Sequence, residues 1–170
     1  MEQQEYYDKI CVHLELPDYL RQWLIYQHGG VQPIVFPKLS AENKVLELCL
    51  RTLPPCATPD LPTDTSVAIG IPFFRYKPPM YYNYLPLPAK KELVACIRNR
   101  FIMQMWNDLH SYGHIGKRRD NLYLAWMAAN GIEDNETNWC AIVKIYQRLY
   151  RNYCDRKHYE KTIKIKKKKK

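Results

Sequence analysis

A chain of 170 residues, 46% of them hydrophobic, has material for one domain or two small ones and a real core, which excludes a disordered protein. The formal net charge of +9 is unevenly placed: residues 1–89 hold 7 Lys/Arg against 9 Asp/Glu, and residues 90–170 hold 19 against 8. A second half at net +11 points to a polyanion as partner, and residues 90–160, without the lysine-rich end, still keep +4.

The opening MEQQEYYDKI is acidic and polar, unlike the basic and apolar regions of a secretory signal. No apolar run reaches the ~18–20 residues of a membrane span. A cytoplasmic protein without membrane contact is expected, its six scattered cysteines kept as reduced thiols rather than a disulfide framework.

Residues 9–16 (KICVHLEL) alternate Ile10, Val12, Leu14 and Leu16 against Lys9, His13 and Glu15, which predicts a half-buried strand. Pro17-Asp18 opens a helix through Tyr19, Leu20, Trp23, Leu24 and Tyr26, and Gly29-Gly30 closes it. Residues 31–36 read as a short second strand, at an edge because Pro33 cannot donate to a ladder. Ser40 is an N-cap for a helix over 41–51 with Val45, Leu46, Leu48 and Cys49 inward. Residues 53–66, with four prolines and no apolar period, form a surface loop in which Asp60 and Asp64 are turn formers. Residues 66–74 return as a strand with Val67, Ile69, Ile71 and Phe73 on its buried face, and 80–85 is its short antiparallel partner.

From Ala89 the pattern becomes helical. Residues 90–112 carry Leu93, Val94, Ile97, Phe101, Met105 and Leu109 at helical spacing. A second helix covers 117–130 with Leu122, Leu124, Ala125 and Ala128 inward and Gly131 as its stop. A third starts near Thr137 as N-cap and packs Trp139, Ile142, Val143, Tyr146, Leu149 and Tyr153 inward. The predicted architecture is α+β: a small mixed sheet with two helices over 1–88, a three-helix, helix-turn-helix-like unit over 89–160, and a disordered lysine tail over 161–170.

With that packing, the third helix turns Lys144, Gln147, Arg148, Arg151, Asn152 and Asp155 outward. Arg, Gln and Asn carry donors and acceptors that fit base edges, and Lys suits a phosphate. Lys117, Arg118 and Arg119 at the start of the second helix would clamp the backbone. Against this, the IEDNETN connection exceeds the roughly 3–4-residue turn of the DNA-binding motif and holds three acids, which suit the positive end of the third helix. The stretch 72–88, PFFRYKPPMYYNYLPLP, has the composition of a stacking platform, but its prolines favour a clasp, leaving Arg75, Tyr76 and Tyr82 as its outward candidates.

Catalytic signatures are weak. His110/His114 and Cys154/His158 have i,i+4 spacing, yet there is no CxxC and no HExxH, so no metal is expected. No phosphate loop or GxSxG elbow occurs, and Cys11 and His13, two apart on a strand, are not expected to meet. The expectation is a non-catalytic nucleic-acid-binding protein without cofactor, for DNA more than RNA. The alternative is an assembly subunit whose basic helical face docks an acidic protein or whose chain forms a homo-oligomer.

Overall fold

A computed structural model of the chain describes residues 10–112 and 119–168. The fold is α+β. Strand β1 (Cys11–Glu15) is followed by helices α1 (Asp18–Gln27) and α2 (Ala41–Cys49), strand β2 (Ser66–Gly70), and helices α3 (Leu87–Tyr112), α4 (Arg119–Ala129) and α5 (Glu136–Lys168). Among the described residues, no helix is long and apolar enough to cross a membrane. Two compact units divide between Phe101 and Ile102, inside α3 rather than at its start.

In the first unit β1 and β2 pair antiparallel, with Val12 opposite Ile69 and Leu14 opposite Val67. The alternation predicted from the sequence is obeyed: Val12, Leu14, Val67, Ile69 and Ile71 are buried. The 31–36 segment is not a strand. It contributes a single parallel bridge, in which Ile34 takes a hydrogen bond from Gly70 and donates to Ala68 O, because Pro33 and Pro37 deprive the segment of donors on either side. Likewise 80–85 forms no partner strand; its pairing is one bridge from Tyr84 to Arg51, bracketed by Pro78, Pro79 and Pro86.

Phe73 leaves the predicted buried face: it is 51% exposed, because β2 ends at Gly70 and Pro72 breaks the alternation before it. On α2, Leu48 lies outside and Glu42 inside, drawn in by Arg100. Ser40 caps α2 as predicted, its hydroxyl accepting from Asn43 N at 3.1 Å. Gly29 and Gly30, at φ 73° and 78°, close α1 in the left-handed region that other residues avoid.

Helix α3 begins three residues earlier than its periodicity predicts, with Pro88 tolerated in a first turn whose N–H groups need no partner. Its buried positions Ala89, Leu93, Ile97, Phe101, Met105 and Leu109 recur every four residues, a stripe that drifts about 40° per step. The first four belong to the first unit, where the Phe101 ring meets Trp23 edge-on at 5.3 Å and Tyr19 at 5.3 Å.

In the second unit α4 buries Tyr123, Trp126 and Met127, and Asn130 is buried just past its end; Ala125 and Ala128 are exposed and Leu122 and Leu124 only half-buried. The larger side chains take the interior because they bury more apolar area and because their polar atoms find partners: Trp126 Nε1 donates to Asp108 and Gln104 Nε2 donates to Asn130, both at 2.9 Å. After α4, Gly131 at φ 67° lets Ile132 N reach back to Met127 O at 2.9 Å, with Ile132 buried beneath the turn. The N-cap of α5 is Asn135 rather than Thr137: its side-chain oxygen accepts from Asn138 N at 2.8 Å.

Candidate nucleic-acid interface

Helix α5 has 33 residues, about 50 Å at 1.5 Å per residue. No glycine or proline follows Gly131, and lysine is a good helix former, so the helix runs on to Lys168 instead of giving way at 161 to the expected disordered tail. Its root is fixed by buried Asn138, Ile142, Ile145 and Tyr146. Around Tyr146 the rings of Trp106, Tyr123 and Tyr150 gather at centroid distances of 5.8, 5.6 and 6.2 Å. Trp106 stacks on His110 at 4.4 Å, and Tyr153 lies 5.5 Å from Trp106.

Away from that cluster, Lys144, Gln147, Arg148, Arg151 and Asn152 are all exposed, on one side of α5, and Asp155 lies among them. Among the described residues no ion pair engages Lys144, Arg148 or Arg151. From Cys154 to Tyr159 every residue is exposed, so the helix here has left the packed part of its unit. Lys157 Nζ sits over the Tyr153 ring at 4.6 Å from its centroid. Arg119 opens α4, while Lys117, Arg118 and His114 lie outside the described residues.

A groove of about 430 Å³ runs beside this row, walled by Trp106, Met103, Leu149 and Tyr153 and edged by Asn152 and Arg156. Trp106 and Arg156 were not singled out by the sequence pattern. The available signal was the recurrence of Tyr146, Tyr150 and Tyr153 with Trp106 and His110 on another helix, a meeting that helical spacing within one element cannot reveal.

The 72–88 stretch behaves as a clasp with an exposed outer side. Lys77 Nζ donates to Glu47 O at 2.6 Å and Leu48 O at 2.9 Å, capping the negative end of α2. Arg75 and Tyr76 are exposed, the guanidinium 5.4 Å from the ring centroid, whereas Tyr82 is half-buried; Phe73, Met80 and Tyr81 join the exposed set.

A second groove, of about 400 Å³, lies in the first unit between the proline-rich loop and the first turns of α3. Asp60 is not a turn former there. Its carboxylate takes a 2.7 Å ion pair from Lys90, tying the loop to α3. Deeper in the same unit, Glu42, 3% exposed, lies with its Oε1 3.2 Å from Arg100 Nε, without hydrogen-bond alignment of that N–H. The Arg100 guanidinium also covers the rings of Trp23 and Phe36, and its Nη2 is 3.5 Å from His28 Nε2. Burial and the Arg100 charge push His28 below its ordinary value of 6.5, with Glu42 pulling the other way.

Cys11 and His13 do meet, Sγ to Nε2 at 3.8 Å, since residues two apart share a strand face. Burial raises the Cys11 thiol, the wrong direction for a nucleophile. All six cysteines are free. Cys154 and His158 are both exposed, and among the described residues no group of three or more His, Cys, Asp or Glu is placed to hold a metal. No family model, no curated protein and no solved structure matches this chain.

Proposed function

We propose that the protein binds nucleic acid without catalysing a reaction, DNA in preference to RNA, through α5 in a helix-turn-helix-like unit. The observation that carries this reading is the state of α5: one helix whose root is buried, whose outer row of Lys144, Gln147, Arg148, Arg151 and Asn152 is exposed, and whose residues 154–159 are exposed on every side. A bare helix of this kind fits the major groove, roughly 12 Å wide. Arg148, Arg151, Gln147 and Asn152 face the base edges; Lys144, the Lys117–Arg119 cluster and the lysines continuing α5 take phosphates. The setting is cytoplasmic, where its thiols stay reduced. Across a panel of duplex sequences, Arg148→Ala is expected to cost about 1–3 kcal/mol on a preferred site and less elsewhere. Equal losses on all sequences would reduce the contact to charge alone.

A second reading is favoured by the exposed Phe73, Tyr76, Met80 and Tyr81, a set of large apolar side chains suited to a protein partner. An oligomer or complex in light scattering, dispersed by Tyr76→Ser and formed without nucleic acid, would favour it.

A further inference from the structure

We infer that the groove between α3 and α5 of the second unit takes a single unstacked base from a nucleic-acid strand, an inference that rests on the nucleic-acid reading above. Its volume of about 430 Å³ falls within the roughly 300–1,000 Å³ of small-ligand pockets and is far too small for a duplex. Two of its walls are flat rings, Trp106 and Tyr153, and a third is the flexible Met103, 66% exposed. Base-sized π surfaces are what such walls accept without regard to sequence.

The polar edge is of the matching kind. Asn152 and Arg156, one turn apart on α5, supply an amide for a base edge and a guanidinium for the neighbouring phosphate. No lining residue is acidic and Arg156 is cationic, whereas the groove of the first unit, of nearly equal volume, sets Glu15 and Asp60 against Lys90 and Lys91. Asn152 also belongs to the exposed row of α5, so a strand tracked along Arg148 and Arg151 reaches the groove without leaving the helix. The base must come from a single strand or be extruded from a duplex, because a stacked base offers no face to the rings.

The test is fluorescence anisotropy of the full chain with two single strands of equal length, one carrying bases and one abasic throughout, alongside a duplex. The expected result is about tenfold tighter binding of the base-bearing strand. Trp106→Leu should collapse that ratio towards one. Should that variant fail to fold, Met103→Glu alters only an exposed wall, and because the readout is a ratio, the general repulsion of its carboxylate cancels. Equal affinity for both strands in the wild-type chain overturns the groove inference while leaving nucleic-acid binding intact. No binding of either strand or of the duplex removes the nucleic-acid reading and the inference with it. Capture of an acidic amphipathic peptide that Met103→Glu abolishes, without any preference for bases, would assign the groove to a protein partner instead.

Discussion

In the first unit several cations are tied into the fold, whereas the outer row of α5 in the second unit stands clear of any ion pair among the described residues. Arg21 pairs with Asp18, Lys44 with Glu47 and Lys90 with Asp60; Lys77 caps α2, and Arg100 lies over two rings beside buried Glu42. On α5, Lys144, Arg148 and Arg151 are exposed and joined by no ion pair among the described residues. The lesson is that net charge is a poor guide to a binding face until the cations already engaged by the fold are set aside. A residue's chemistry is the same in both units; what differs is whether a carboxylate, a carbonyl or a ring has taken it first.

The sharpest way to break this contrast is at Arg100. Replacing it by Met leaves Glu42 buried without its counter-charge, and such losses run to about 3–5 kcal/mol when both partners are buried. Arg100 is about one-third exposed, so solvent screening brings the expectation to about 2–3 kcal/mol in urea unfolding of the full chain. Adding Glu42→Leu should recover most of it. Lys77→Met removes the cap on α2 and is expected to cost about 1 kcal/mol by the same measurement. Neither substitution should alter binding to nucleic acid.

Acid gives a weaker test confined to the first unit. Because the folded state holds His28 below 6.5, the unfolded chain takes up the proton first. The contribution of this site to stability is therefore complete above the ordinary histidine value and declines as pH falls through it towards the lowered folded value. His28→Gln should flatten that part of the unfolding profile. Arg148→Ala is expected to change stability least of all, within about 0.5 kcal/mol, while still weakening nucleic-acid binding. A larger loss of stability would mean that Arg148 is engaged by the fold like Arg100, and the contrast between the units would fail.

Much of the framework was legible because it obeys simple periods. The alternation of Val12, Leu14 and Leu16, the stops at Gly29, Gly30 and Gly131, and the Leu93–Leu109 stripe all follow from local backbone and burial rules. Helix α4 departs from the predicted inward face because RDNLYLAWMAA is apolar on most sides, so two inward faces fit the period. The choice fell to Asp108 and Gln104, which are distant in sequence and supply the partners for Trp126 and Asn130. Phe73 departs for the opposite reason: the alternation of β2 does not extend past Pro72, because the strand ends at Gly70.

The exposed row of α5 could be read from i,i+3 and i,i+4 spacing alone. The groove beside it could not, since Met103 and Trp106 come from one helix and Leu149, Asn152, Tyr153 and Arg156 from another. Nor did spacing reveal that α5 continues to Lys168, a matter of helix propensity outweighing repulsion between like charges.

The most direct test of the proposed function is an anisotropy titration of duplex DNA, single-stranded DNA and RNA across a salt series, comparing the full chain with a 1–160 truncation. The account predicts that the truncated chain still binds, with DNA preferred, and with a shallower salt dependence because fewer phosphates are neutralised. Binding that disappears with residues 161–170, or that never appears, would contradict it and return α5 to ordinary protein surface.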